Sequence, residues 1–263
     1  MKPLPTLFLS HGSPMHAVSP GAVGDAWKAL AARLPRPDAV LIASAHWETA
    51  LPMVTGSAKP ETIHDFGGFP KALYEIEYPA PGKPGLAARV VALLKAAGIT
   101  AGVDGCRGLD HGAWVPLRWM YPAADIPVVQ LSVSPERGTA HHVALGRALE
   151  PLREANVLII GSGHATHNLR DWIGNRDADE PMRYAVDFAQ WLGQRLRSHD
   201  DAALTDYRDQ APQAVRAHPT EEHYLPLLVA YGAAGRTPGV ERVVDGYENG
   251  ALSRDSYLFG AAG

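Results

Sequence analysis

Cysteine is almost absent from this chain of 263 residues, which contains only Cys106. A single thiol cannot form an internal disulfide, so the sequence excludes a disulfide framework and indicates a reducing compartment. Long apolar runs are also missing: no stretch is long enough to cross a bilayer, and the apolar run after Met1 is too short for a signal-peptide core. These absences predict a soluble cytoplasmic protein with no membrane partner.

Neither sign of charge dominates the chain. Its 24 Lys and Arg against 28 Asp and Glu give a net charge of −4, and the basic residues are scattered. Without a basic stripe, nothing indicates binding to nucleic acid. With 46% hydrophobic residues and no linker, repeat or low-complexity segment, the sequence predicts a single catalytic domain over residues 1–263 with a large core, and it indicates no particular oligomeric state.

Apolar runs alternate with amphipathic segments, which is typical of α/β architecture. The predicted strands are Thr6–Ser10, Ala39–Ala45, Ile99–Val103, Pro127–Val133, Val157–Gly161 and Asp255–Phe259. The predicted helices are Val23–Leu34, Gly85–Ala97, Thr139–Arg153, Glu180–Arg197 and Pro219–Ala230. We therefore expect a three-layer fold, with a mostly parallel central sheet and helices on both faces.

Histidines stand where several apolar strands reach glycine- or proline-rich corners. His11 and His46 follow two predicted strands, His111 precedes Gly112, and His164 and His167 follow Gly163. Strand ends are where α/β proteins gather functional groups. Neutral imidazole is a common ligand of iron and zinc, and a catalytic site uses about three protein ligands. The pattern predicts a mononuclear metal site that contains His11, His46 and a third ligand.

The segment at residues 218–223 offers three candidates for the third ligand: His218, Glu222 and His223. If Pro219 begins a helix, the glutamates of this segment fall in its first turn, where the helix dipole stabilises carboxylates without any catalytic role. A histidine gains nothing from that end of a helix, so His223 is harder to explain as a structural residue.

Common catalytic motifs do not account for the glycines near His164. A nucleophile elbow centred on Ser162 would need glycines at the positions of Ile160 and His164. A dinucleotide-binding loop would need a small residue where Thr166 stands. The chain also has no H-E-x-x-H motif, which argues against a zincin protease.

Six ordered motifs resemble those of the class III extradiol ring-cleavage dioxygenases of the 4,5-DOPA dioxygenase type. They are HGSPM at 11–15, SAHWE at 44–48, HDFGGFP at 64–70, DHGAWVPL at 110–117, GSG at 161–163 with HNL at 167–169, and HPT at 218–220 with EH at 222–223. The resemblance runs from residue 7 to the SYLF segment at 256–259.

The resemblance implies a role for each matching histidine. His11, His46 and His223 correspond to metal ligands, although related protocatechuate 4,5-dioxygenases use a glutamate as the third ligand, which keeps Glu222 as an alternative. His167 corresponds to the acid/base residue, and His111 would line the same pocket. The implied partners are O2 and a catechol, for which a DOPA-like substituent is one candidate. The implied cofactor is Fe(II), with Zn(II) able to occupy the site of the isolated protein.

The implied reaction opens an aromatic ring beside its two hydroxyl-bearing carbons. His167 would accept a catechol proton and later return it. Two other functions compete: a zinc-dependent hydrolase on the same α/β scaffold, and a non-catalytic metal- or small-molecule-binding protein. An enzyme that consumes O2 with a catechol when iron is supplied would exclude both.

Several residues near the motifs have two interpretations. His164 either supports the site or is structural, and Trp47 and Trp114 either wall the pocket or pack in the core. The remaining histidines of the helical regions, His142 among them, are expected on the solvated surface.

Overall fold

The computed structural model describes residues 2–175 and 180–260. The strands are β1 (Thr6–Ser10), β2 (Ala39–Glu48), β3 (Met53–Thr55), β4 (Gly102–Asp104), β5 (Val128–Val133), β6 (Val157–Gly163), β7 (Val240–Val244), β8 (Tyr247–Glu248), β9 (Leu252–Ser253) and β10 (Ser256–Phe259). The helices are α1 (Gly21–Arg33), α2 (Lys71–Tyr74), α3 (Pro84–Ala96), α4 (His111–Met120), α5 (Gly138–Leu149), α6 (Leu169–Gly174), α7 (Arg183–Ser198), α8 (Asp201–Thr205), α9 (Tyr207–Gln210), α10 (Ala214–Ala217) and α11 (Leu225–Ala233). Short 3-10 helices span Pro14–Ala17, Pro135–Arg137 and Glu150–Ala155.

Eight strands form one sheet in the order β4-β3-β5-β2-β6-β1-β10-β7. Its central four strands, β5, β2, β6 and β1, are parallel to one another. Antiparallel pairs join β3 to β5 on one side and β10 to β1 and β7 on the other. A mostly parallel sheet is therefore confirmed, with antiparallel strands added towards its edges.

Helices cover both faces of the sheet, and the central strands are therefore buried on both sides. Leu7 and Ile42 point into one core with Trp27 of α1 and Trp114 of α4. Leu41, the neighbour of Ile42, points into the opposite core, which α3, α5 and α11 complete. This alternation along each strand produces the three-layer architecture that the sequence predicts.

Strand β2 contains a large bulge just before its end. It pairs with β5 from Val40 opposite Val128 to Ala43 opposite Leu131, and again at Glu48 opposite Val133. Five steps along β2 therefore cover two steps along β5. The three extra residues are accommodated in the segment 44–47, here called the β2 bulge, which contains His46. Bulges commonly redirect a side chain beside an active site.

Several predicted elements have other bounds in the structure; the helix expected at Glu180–Arg197, for example, is Arg183–Ser198. The helix expected at Pro219–Ala230 begins only at Leu225, because residues 218–224 form turns and the proline in the first helical turn is Pro226. The strand expected at Ile99–Val103 is Gly102–Asp104. The helix expected at Thr139–Arg153 ends at Leu149 and continues as a 3-10 helix that contains a proline near its start.

Of the helices that the structure describes, none combines the length and the apolar character needed to cross a bilayer.

Candidate metal centre

The carboxyl ends of three neighbouring strands bring the strand-end histidines together. His11 follows β1, His46 lies in the β2 bulge, and His164 follows β6. Because β2, β6 and β1 are adjacent and parallel, these ends meet at the same edge of the sheet. His223 joins them from the turn before α11, and its carbonyl oxygen accepts a 3.0 Å hydrogen bond from the backbone nitrogen of His164.

His11, His46 and His223 converge on one point. Their nearest ligating nitrogens all lie within 4.8 Å of one another, and the Nε2 atoms of His11 and His46 are 3.0 Å apart. Two imidazole nitrogens that share an ion at about 2.1 Å lie roughly 3.0–3.4 Å apart, so this spacing suits a common metal. The structure thus brings together the three residues that the resemblance implies as ligands.

The other ring nitrogens of two of these histidines have hydrogen-bond partners. Nδ1 of His11 lies 2.9 Å from Oγ of Ser162, whose hydroxyl donates to the carbonyl of Gly112. Ser162 therefore accepts from His11 Nδ1–H, which leaves Nε2 unprotonated. Such partners orient metal-binding histidines and select the ligating nitrogen.

Glu222 orients His223 in the same way. Its Oε1 lies 2.9 Å from Nδ1 of His223, so Nε2 is the nitrogen that remains for a ligand. That Nε2 atom is buried and has no hydrogen-bond partner within residues 2–175 and 180–260. A buried polar atom without a partner is costly, and a metal ion would satisfy it. The donor set therefore fits a bound metal.

The alternative third ligands occupy different positions. His218 is fully buried, its Nε2 donates to the carbonyl of Ala165, and its ring packs against Phe188 and Tyr224. It is not in the cluster. Glu222 does lie at its edge, 3.9 Å from Nδ1 of His167, and His167, Glu222 and His223 form a second set of closely spaced donor atoms. A metal bound there by His223 Nδ1 would break the hydrogen bond between Glu222 and His223.

His111 faces the cluster from the first position of α4. Both its backbone nitrogen and Nδ1 lie 2.9 Å from carboxylate oxygens of Asp65. Its ring centroid is 3.9 Å from that of His46. Burial alone would raise the pKa of Asp65, but the hydrogen bonds from His111 lower it below its ordinary value. Asp65 is a site residue that the sequence analysis missed, although the HDFGGFP motif contains it.

His167 stacks on His223, with ring centroids 3.4 Å apart and planes within 12°. His164 accepts a 3.0 Å hydrogen bond at Nε2 from the backbone nitrogen of Gly12, the residue after His11. His164 therefore supports the loop that presents His11 and also lines the cavity.

Burial keeps the cluster uncharged. It lowers the pKa values of His11, His46, His223 and His167, and the neighbouring imidazoles lower them further. These rings are neutral at pH 7, which is the form that binds a metal or accepts a proton.

A cavity of about 220 Å³ is lined by His11, His46 and His223. Six histidines line it, and the remaining wall is mainly apolar, with contributions from Pro14, Phe66, Phe69, Leu169, Trp172 and Leu252. Trp114 is not in the wall, because it is fully buried and its indole nitrogen donates to the carbonyl of Ile63. Trp47 is also buried and lies under the guanidinium of Arg107. The aromatic wall therefore comes from Phe66, Phe69 and Trp172, and not from Trp47 or Trp114.

His142 corrects another expectation. It is fully buried rather than solvated, and its Nε2 accepts from the backbone nitrogen of Ser134 while Nδ1 lies 2.7 Å from the carbonyl of Gly138. Both ring nitrogens of His142 bind backbone groups, and His142 is not among the residues that line the cavity.

Comparison with known proteins gives consistent matches over almost the whole chain. Residues 5–260 match the family model described as the catalytic LigB subunit of aromatic ring-opening dioxygenase. A protein of Beta vulgaris named 4,5-DOPA dioxygenase extradiol is 43% identical over 259 residues, which cover 97% of this chain and 96% of that protein. A protein of the same name from Escherichia coli K12 is 41% identical over 262 residues, covering 98% and 95% of the two chains.

A solved structure shows the same fold. The crystal structure of an uncharacterized protein from Escherichia coli K12 superposes with a TM-score of 0.83 at 37% sequence identity, covering 98% of this chain and all of that one.

Proposed function

Because the chain belongs to the LigB family of aromatic ring-opening dioxygenases and is an extradiol ring-cleaving enzyme, we propose that His11, His46 and His223 bind its metal, that this metal is Fe(II), and that its small-molecule substrate is a catechol. The relatives named 4,5-DOPA dioxygenase extradiol favour a DOPA-like substituent on that catechol.

The observation that carries the proposed ligand set is the agreement between position and protonation. Nε2 of His11 and Nε2 of His46 lie 3.0 Å apart, and Nε2 of His223 is buried without a partner among the described residues. The Nδ1 atoms of His11 and His223 are held by Ser162 and Glu222. Three protein ligands leave open positions for small ligands, as in other catalytic metal sites.

Bound ferrous iron would supply the redox chemistry with O2 and would stabilise the catecholate anion. The protein residues position the substrate and handle its protons. His167 lines the cavity beside His223, and as a neutral imidazole it can accept a proton from a catechol hydroxyl and return it later. His111, whose Nδ1 is held by Asp65, presents Nε2 as a second polar contact for the substrate.

The cavity also suits an aromatic substrate. Phe66 lies beside His111, with ring centroids 5.7 Å apart, and Phe69 packs against Phe66 at 5.4 Å. A flat ring can pack edge to face against such residues, and the apolar wall excludes water from the reacting atoms. This arrangement favours a catechol over a polar, non-aromatic substrate.

An oxygen-electrode assay tests the proposed metal and substrate. The protein is reconstituted anaerobically with Fe(II), and O2 uptake is followed with a series of catechols, DOPA included. We expect uptake with a product that contains both atoms of O2. Metal-loaded protein that consumes no O2 with any catechol would refute the proposed substrate and metal, and would return attention to the zinc-hydrolase and binding-protein alternatives.

Two variants separate metal binding from proton transfer. His46→Ala should lose both metal and activity, because it removes one of three ligands. His167→Ala should keep its metal and lose roughly 10²–10⁴-fold in turnover, the usual contribution of a general acid/base. Equal loss of metal in both variants would identify His167 as a ligand, and full activity in the His167 variant would remove it from the mechanism.

A further inference from the structure

Asp110 is a buried carboxylate beneath the metal centre, outside the cavity lining. Its Oδ1 accepts from Oγ of Ser44 at 2.7 Å and from the backbone nitrogen of Ala113 at 3.3 Å. Its Oδ2 accepts from Nε2 of Gln130 and from an Nη of Arg107. Four hydrogen-bond donors thus meet at one side chain. Burying a carboxylate is costly without hydrogen-bond partners. These four donors offset that cost and fix the position of the Asp110 side chain.

Two of these partners also bind the backbone of His46. Oγ of Ser44 accepts a 3.2 Å hydrogen bond from the backbone nitrogen of His46 while it donates to Asp110. The same Nη of Arg107 that contacts Asp110 donates to the carbonyl of His46 at 3.2 Å. Both polar backbone groups of His46 are therefore held by residues that Asp110 binds. This matters because His46 lies in the β2 bulge, where regular pairing with β5 is interrupted.

We propose that Asp110 is a positioning residue for the metal centre: through Ser44 and Arg107 it fixes the β2 bulge so that Nε2 of His46 stays beside Nε2 of His11. The inference rests on the proposed function in that it takes His46 to be a metal ligand. Asp110 does not line the cavity, so its effect on the metal is indirect, and the route proposed here is the backbone of the bulge.

The hydrogen-bond pattern requires a carboxylate at this position. Gln130 cannot turn its amide, because its Oε1 accepts from the backbone nitrogen of Asp110 while its Nε2 donates to the side chain. An asparagine would have to direct its own NH2 group either at Gln130 and Arg107, which are donors, or at Ser44. The first arrangement loses the bonds from Gln130 and Arg107. The second reverses the bond to Ser44 and turns the NH2 group towards the backbone nitrogen of Ala113, which is itself a donor. Asp110→Asn should therefore release the bulge while preserving the side-chain volume.

Asp110 is also the N-cap of α4, and a control must separate the two roles. Asparagine caps helices about as well as aspartate when its oxygen takes the place of Oδ1, but it loses the bond from Ala113 in the opposite orientation. Asp110→Asn therefore needs controls for capping. Asp200 provides a matched control: it caps α8 by accepting from the backbone nitrogen of Ala203, and it contacts Arg195 at 3.2 Å. Ser44→Ala provides an independent route, since it cuts the connection to the bulge and leaves the other three partners of Asp110 in place.

Metal affinity is the deciding measurement, made by chelator competition with Zn(II) and by the absorption spectrum of the Co(II) protein. We expect affinity to fall by roughly 10–100-fold in Asp110→Asn, the usual effect of removing a residue that supports a ligand. Ser44→Ala should weaken binding in the same direction, and both variants should change the Co(II) spectrum. Asp200→Asn should match the wild type in affinity and spectrum.

The controls distinguish failure of this inference from failure of the proposed site. If the wild type binds no metal, or if His46→Ala binds it as tightly as the wild type, the ligand assignment itself is wrong. If His46→Ala loses the metal while Asp110→Asn and Ser44→Ala keep wild-type affinity and spectra, the positioning role is refuted. Should Asp110→Asn fail to fold, Ser44→Ala decides the question.

Discussion

Replacing Gly163 by alanine should disturb the metal centre through a single backbone contact. Gly163 ends β6, and a Cβ atom built on it would lie 2.2 Å from the carbonyl oxygen of His223. Its φ angle is not in the left-handed region, so alanine is compatible with the local backbone. The perturbation is therefore steric and is directed at the segment that carries the proposed third ligand.

The required movement follows from the contact distance. Real Cβ atoms essentially never approach within 3.0 Å of another heavy atom, so the two backbones must separate by at least about 0.8 Å. That movement strains the hydrogen bond from the backbone nitrogen of His164 to the same carbonyl. Overpacking of this kind costs about 1–3 kcal/mol. Ligand distances in metal sites are tolerant to about 0.2 Å, so we expect metal affinity to fall roughly 10–100-fold.

Chelator competition and thermal unfolding of the metal-free protein measure the two effects separately. Gly146→Ala is the matched control, since its Cβ would lie 2.2 Å from the carbonyl oxygen of Val229, between α5 and α11. It should lower the midpoint of unfolding without a matching loss of metal affinity. Gly85→Ala, whose Cβ would meet nothing within 4 Å, should change neither. Wild-type metal affinity in Gly163→Ala would refute the reasoning.

Two other predictions concern protons and charge. Glu222→Gln should keep one bound metal with affinity reduced by up to roughly 10-fold, because the amide oxygen can still accept from His223 Nδ1 but carries no charge; complete loss of metal under chelator competition would instead indicate that Glu222 is a ligand. The metal-free protein should lose stability as the pH falls from 7 to 5, because burial lowers the pKa of His142 to about 4 and of His218 to about 3, whereas the unfolded chain takes up protons near pH 6.5. The contribution is complete above about pH 6.5 and declines below it by about 2 kcal/mol per histidine at pH 5. In urea unfolding, His142→Gln should therefore show a smaller loss between pH 7 and 5 than the wild type, and an unchanged loss would contradict the assignment.

Strand-end histidines could be predicted because the rule behind them is general. Once β1, β2 and β6 are recognised as parallel strands, their carboxyl ends must meet, and His11, His46 and His164 follow from their places in the sequence. The resemblance predicts that His223 joins them. The helix predicted around His223 from the sequence is wrong, because α11 begins only at Leu225. Pro219 looked like the first residue of a helix, but the hydrogen bonds from Tyr224 and Leu225 to the carbonyl of Glu221 form turns instead.

Contacts between distant segments could not be predicted in this way. Asp65 reaches His111 from a segment without regular secondary structure, and no periodic pattern signals the pairing. The network around Asp110 joins β2, β5 and the start of α4, and each of its polar residues taken alone resembles an ordinary strand or cap residue. Side chains that support a site depend on which loops pack together, and that information is not local.

The topology of β1 makes the metal centre a late product of folding. Leu7 pairs with Ile160 on one side and with Leu258 on the other, so this first strand has no sequence-local partner. During synthesis β1 has no pairing partner until β6 has been made, and one of its edges stays unpaired until β10 has been made. Closing such long loops is slow, and an unpaired apolar edge invites association with other chains. His11 thus joins the site only after β6 at residues 157–163 has been made, and until then the edge of β1 is open to pairing with other chains.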